Sequence, residues 1–121
     1  MRIFITGANG GLGYELVKRA IRRGHFVYAG AYMPDGIDEL NKQIQLCPDK
    51  LKIFDLDVTS DESVAKVAEE IERTAGRLDA IVNAAGVLFD KNKQIDELDI
   101  SEMKTTFEVN TFGPYRVIKA M

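Results

Sequence analysis

The sequence predicts an α/β domain built on a parallel sheet with helices on both faces. Three observations lead there. Four short apolar runs, at residues 2–6, 26–31, 51–54 and 78–82, are continuous rather than alternating, the pattern of strands buried on both sides. Each run is followed by a stretch with helical spacing, as right-handed crossovers between parallel strands require. Glycines cluster directly after the first run, at Gly7, Gly10, Gly11 and Gly13, where a strand turns sharply into a helix.

Taken in order, Arg2 to Thr6 is the first strand. Leu12, Leu16, Val17, Ala20 and Ile21 then recur at helical spacing. Lys18, Arg19, Arg22 and Arg23 load the last turns of that helix, and Gly24 ends it. Phe26 to Ala31 is the second strand, and Pro34-Asp35-Gly36 is a turn. Ile37 to Gln45 forms a short helix closed by Pro48, and Leu51 to Phe54 is the third strand. Thr59 opens the next helix, with Glu62 at capping-box spacing. Val64, Val67, Ala68 and Ile71 line its buried face, and Gly76 follows its end. Leu78 to Val82 is the fourth strand and runs into Asn83-Ala84-Ala85-Gly86. Val87 to Ile100 is polar and loop-like. Ser101 begins a last helical stretch, with Met103, Phe107, Ile118 and Met121 near one face; Met121 falls in the middle of that helix.

Composition narrows the function classes. Of 121 residues, 45% are apolar and 29% charged, the balance of a soluble globular domain. Sixteen basic against nineteen acidic residues leave a net charge of −3 with no basic cluster, which argues against a nucleic-acid binder. No apolar run approaches the ~20 residues that cross a bilayer. The N-terminal residues lack the pattern of a signal peptide. Cys47 is alone, so an internal disulfide is excluded and a cytoplasmic home is expected. His25 has no metal-ligand companions, and no metal site is expected.

The first strand, glycine loop and helix make a nucleotide-binding start. The glycines allow a tight turn and let backbone N–H groups approach a pyrophosphate, which the positive end of the helix faces. The spacing fits two patterns. Thr6-Gly7-Ala8-Asn9-Gly10-Gly11-Leu12-Gly13 contains T-G-x-x-x-G-x-G through Gly7, Gly11 and Gly13, and G-x-x-G-x-x-G through Gly7, Gly10 and Gly13. With this loop the sequence resembles the short-chain dehydrogenase/reductase family. The first spacing is that of its ordinary reductases, the second that of its epimerase-like branch.

Three further segments carry the resemblance, which covers essentially the whole chain. Asn83-Ala84-Ala85-Gly86 is similar to the N-A-A-G signature of the ordinary branch; there it steadies the sheet and lies beside the adenosine half of the cofactor. By residue type alone the segment also reads as a strand-end turn. Asp57 follows the third strand, and the resemblance implies that it accepts a hydrogen bond from the adenine amino group, with the backbone of Val58 also meeting the ring. By residue type alone Asp57 also reads as an acid leading into a helix. Asn110, in Val109-Asn110-Thr111-Phe112-Gly113, matches the family's catalytic asparagine, whose backbone carbonyl holds a water linked to the catalytic lysine. Its other reading is a helix kink beside Gly113 and Pro114. The resemblance thus implies cofactor binding by Thr6, Gly7, Asn9, Gly10, Gly11, Leu12, Gly13, Asp57, Val58, Asn83, Ala84, Ala85 and Gly86, and a catalytic role for Asn110.

An acid at the end of the second strand favours NAD, and a nearby Arg favours NADP. Ala29-Gly30-Ala31-Tyr32 offers neither. No basic residue lies between Gly7 and Gly13, and none follows the second strand until Lys42, whereas Asp35 and Asp38 would repel a 2′-phosphate. NAD is therefore favoured over NADP.

The family's proton donor is a Tyr, with a Lys four residues on and a Ser after the fifth strand. Tyr115 and Lys119 have that spacing but follow Asn110 within the same helical stretch, with no intervening strand, and merely share a helix face. The expected fold is the first part of a Rossmann-type doubly wound parallel sheet, in strand order 3-2-1-4, with the later strands missing and the chain forming one incomplete NAD(P)-binding domain over residues 1–121. The expected function is that of an NAD(P)-dependent oxidoreductase acting on an alcohol or carbonyl substrate, with this chain carrying the cofactor half and unable to catalyse alone. A homo-oligomer is a family expectation. The alternative is a truncated, non-catalytic paralogue that binds a nucleotide or a partner.

Overall fold

The computed structural model describes residues 1–33, 37–89 and 91–121. Strands β1 (Arg2–Thr6), β2 (Phe26–Ala31), β3 (Leu51–Asp55) and β4 (Ala80–Asn83) form one parallel sheet in the order β3-β2-β1-β4. This is the order that the sequence leads one to expect. In the register, Ile3 lies opposite both Val27 and Ala80, and Tyr28 lies opposite Lys52. The predicted turn at Pro34-Asp35-Gly36, and Asp35 with it, lies outside the described residues.

Side chains alternate across each strand, so two cores form. On one face, Ile3, Ile5 and Val27 bury against Val17 and Ile21 of α1 (Gly11–Arg22) and Leu40 of α2 (Ile37–Leu46). On the other, Phe4, Tyr28 and Phe54 pack with Val64, Val67 and Ile71 of α3 (Asp61–Ala75) and with Val117 of a later helix, Gly113–Ala120. Full burial of each such side chain stabilises by about 1.5–3 kcal/mol. Among the described residues no helix is long and apolar enough to cross a membrane.

Four local expectations are corrected. The cap of α3 is Ser60, whose hydroxyl accepts from the Ser63 N–H, and not Thr59. Thr59 is withdrawn from capping because its N–H and hydroxyl both donate to Asp57 Oδ1, at 2.9 and 2.6 Å. Strand β4 starts at Ala80 rather than Leu78, because the Asp79 carboxylate accepts from the Arg2 N–H at 2.6 Å and closes the sheet end ahead of the ladder. The loop after β4 contains a 3₁₀ turn at Ile95–Glu97, and α4 (Ile100–Phe107) begins one residue early because Asp99 caps it.

The fourth correction concerns the last helical stretch. It is interrupted by a π-helical turn, Glu108–Phe112, before α5 (Gly113–Ala120). A wider turn breaks the 3.6-residue register, so apolar positions before and after it no longer share a face. Of Met103, Phe107, Ile118 and Met121, expected near one face, the first three are exposed and Met121 packs against the second core, while Gly113 and Val117 are buried.

An ion-pair cluster joins α3 to the outer strand. Arg73 and Lys52 each approach Glu70 Oε1 to 2.7 Å. Hydrogen bonds from Arg73 first, then Lys52, hold the Glu70 carboxyl down from 4.5 to about 2. A depressed native pKa contributes stability that is fully present above the unfolded value and is lost as pH falls through the native one. Stability should therefore decline between about pH 4.5 and 2, and the Glu70→Gln variant should show a shallower decline in denaturant midpoint over that window. Superimposable pH profiles for the two proteins would refute the coupling.

Candidate functional site

The C-terminal ends of the strands open onto a cleft of about 680 Å³. Its floor is the glycine loop between β1 and α1. Gly7 has φ of +63°, and a Cβ there would lie 2.6 Å from the Ala85 nitrogen. A Cβ on Gly13 would lie 2.1 Å from the Gly7 carbonyl oxygen, so the missing side chain lets α1 sit directly on the loop. Gly11 has φ of +53°, a left-handed backbone that favours glycine. Gly10, by contrast, is extended, and a Cβ there would meet nothing within 4 Å, so neither its backbone nor its surroundings demand glycine. The demanding positions are thus Gly7, Gly11 and Gly13, the first of the two spacings.

The start of α1 is chemically open. Its N-cap, Gly10, provides no side-chain hydrogen bond, and its first turn carries no acid. The starts of α3 and α4 are closed by the side chains of Ser60 and Asp99. The first N–H groups of a helix have no intrahelical acceptor, and with the helix dipole they attract an anion. Here Gly10, Gly11 and Leu12, at that helix start, line the cleft.

The walls come from β3 and β4. Thr6 is fully buried at the end of β1, and its Oγ1 accepts from the N–H groups of Ala84 and Ala85, both at 3.1 Å. That pair of bonds fixes the turn that carries Ala84, Ala85 and Gly86 into the cleft. The Asn83 Oδ1 is buried and has no partner among the described residues. Opposite, Asp57 and Val58 form a shelf. The Asp57 N–H donates to Ser63 Oγ at 3.0 Å, and Asp57 Oδ1 takes both Thr59 donors. The second carboxylate oxygen has no hydrogen-bond partner among the described residues.

Asn110 lies in the π-helical turn. Its Oδ1 accepts from the Val87 N–H and its Nδ2 donates to the Val87 carbonyl, both at 2.8 Å. The side chain thereby holds the chain just after Gly86 in the manner of a neighbouring strand.

Of the residues expected to bind cofactor, the structure brings Gly7, Asn9, Gly10, Gly11, Leu12, Asp57, Val58, Ala84, Ala85 and Gly86 to the cleft surface. Thr6, Gly13, Asn83 and Asn110 do not line it. Sequence reasoning missed Tyr32, Leu56, Thr59, Val87, Thr105 and Val109, which also line it. Adjacency to the motifs would have suggested Tyr32, Leu56, Thr59 and Val87. Thr105 and Val109 reach the cleft only because α4 and the π-helical turn fold back over it, and no local pattern signals that. Tyr115 and Lys119 are exposed and do not border the cleft. No group of three or more His, Cys, Asp or Glu among the described residues could hold a metal ion.

Comparison with known proteins agrees with this architecture. The short chain dehydrogenase family model matches residues 1–121. A short-chain dehydrogenase of Aspergillus ruber, fogD, is 34% identical over 116 residues, covering 94% of this chain and 38% of that protein. The 17-beta-hydroxysteroid dehydrogenase type 6 of Bos taurus is 32% identical over 121 residues, covering 98% of this chain and 37% of that protein. Among solved structures, a short-chain dehydrogenase from Streptomyces avermitilis superposes with a TM-score of 0.87 at 30% identity, covering 98% of this chain and 43% of that one. An NADPH-bound carbonyl reductase from chicken fatty liver gives 0.90 at 25% identity, covering 98% and 49%. The chain thus spans well under two thirds of the length of each of these relatives. The family match runs from Met1 to Met121 and agrees with the sheet order and the glycine loop, and the chain is a member of the short-chain dehydrogenase family.

Proposed function

We propose that this chain holds the pyrophosphate and adenosine parts of a nicotinamide dinucleotide for an oxidoreductase acting on an alcohol or carbonyl substrate. One observation carries the reading: the uncapped start of α1 opens onto a cleft whose opposite wall presents an unpartnered carboxylate oxygen on Asp57. The N–H groups at Gly11 and Leu12 would hold the pyrophosphate, and Gly10 leaves room for it. Asp57 and Val58 would meet the adenine ring, with Ala84, Ala85 and Gly86 flanking its ribose and Asn83 behind them at the end of β4. Thr6 and Gly13 serve by holding the loop in shape. When bound, such a cofactor supplies or accepts a hydride. The Asn110 side chain is engaged with Val87, so a part in proton transfer falls to its backbone carbonyl.

NAD is the preferred dinucleotide in this reading. No described residue lining the cleft is cationic, and Asp38 stands exposed in the first turn of α2. A cytoplasmic location, in keeping with the free thiol of Cys47, belongs to the same proposal. Calorimetric titration tests it. NAD should bind at least tenfold tighter than NADP, a difference of about 1.4 kcal/mol. Failure of both to bind would overturn the reading, and a preference for NADP would overturn its NAD part.

A further inference from the structure

Arg116 lies in α5, outside the cleft, yet its guanidinium gathers three segments behind the cleft wall. Nη1 donates to the Val58 carbonyl at 2.7 Å, Nη2 donates to Glu108 Oε1 at 2.7 Å, and Nε donates to Asp61 Oδ1. The side chain is only 20% exposed, which limits competition from water. A planar fork with donors in fixed directions can satisfy three acceptors together, which a compact ammonium cannot. Both carboxylates stabilise the charged guanidinium and raise its pKa, Glu108 first and then Asp61.

The same shelf residue is gripped a second time from α5. A Cβ on Gly113 would lie 2.8 Å from Val58 Cγ2, so α5 sits directly against Val58. On the other side, Ser63 of α3 receives the Asp57 N–H. The peptide units around Asp57 and Val58 are therefore held from two helices, and Arg116 bonds to the Val58 backbone while tying α3 to α5.

We infer that Arg116 is a positioning residue that sets the shelf of Asp57 and Val58 and, through it, the preference for an adenine ring over a ring without the amino group. This rests on the proposed dinucleotide reading of the cleft. Asp57 can accept from an amino group, whereas a ring carbonyl in the same place would meet its carboxylate lone pairs. Loosening the Val58 backbone should blunt that discrimination before it abolishes binding.

The experiment is a titration of the protein with NAD and with nicotinamide hypoxanthine dinucleotide, in which a carbonyl replaces the amino group. The unaltered protein should prefer NAD by roughly tenfold, and Arg116→Lys should narrow that preference to about threefold or less. Glu108→Gln, which weakens one arm of the fork, should fall between them, and it carries the test if Arg116→Lys does not fold. A merely structural role predicts a lowered melting midpoint with both dinucleotides weakened equally. An unchanged ratio in folded variants would therefore overturn the assignment to Arg116. An unaltered protein that binds neither dinucleotide would instead overturn the reading of the cleft, and the inference with it.

Discussion

Gly13→Ala is expected to lower the stability of the domain by about 3 kcal/mol, at the upper end of ordinary overpacking penalties. The added methyl would lie 2.1 Å from the Gly7 oxygen and 2.7 Å from its carbonyl carbon. Both are backbone atoms, so no rotamer change relieves the clash. Gly7 has little room to retreat, because a Cβ on it would already lie within 2.7 Å of the backbone of Ala84 and Ala85. The remaining relief is to lift α1, which would uncover Val17, Ala20 and Ile21. Gly10→Ala is the control: its backbone is extended and its surroundings are open, so stability should change by no more than about 0.5 kcal/mol. Urea unfolding of the two variants reads both values. A loss below about 1 kcal/mol in Gly13→Ala would show that α1 does not rest on the loop as described.

Thr6→Val should be nearly as damaging despite its similar shape. The hydroxyl oxygen of Thr6 accepts two N–H groups, from Ala84 and Ala85. Both amides are only half-buried, so each donor left without a partner costs about 1–2 kcal/mol, in the lower part of the usual range, and a combined loss of about 2–4 kcal/mol is expected. Thr6→Ser keeps the oxygen and should lose only about 1 kcal/mol for the buried methyl. Dinucleotide binding should follow the same order, because the bonded turn delivers Ala84, Ala85 and Gly86 to the cleft. Hydrogen exchange at the Ala84 and Ala85 amides checks the cause. Protection retained in Thr6→Val would remove the argument.

Much of this architecture is legible in the sequence because its causes are local. The bounds of β1 and β2 match those expected, since a continuous apolar run between turn residues has few other outcomes. The glycine loop is legible for the same reason: Gly7 and Gly11 have positive φ, a demand on a single residue's backbone. Errors arise where two local signals compete. Thr59 and Ser60 both suit a helix cap, and the Asp57 carboxylate two residues before Thr59 decides the matter by taking it. The π-helical turn is only half legible: Asn110 beside Gly113 and Pro114 allows a kink, but its form as a wider turn accompanies the packing of Gly113 on Val58 and of Asn110 on Val87.

By itself the sequence determined the succession of strands and helices as far as β4, the parallel sheet and the glycine cluster between β1 and α1. These follow from apolar spacing and from backbone sterics, which act over a few residues. Only the tertiary structure decided which glycines press on neighbours and which leave space, that Thr6 clamps a turn far along the chain, and that Arg116 holds Val58. Those last two contacts join residues 78 and 58 positions apart. Their partners are chosen by how the helices settle on the sheet, and no neighbouring residue along the chain carries that information.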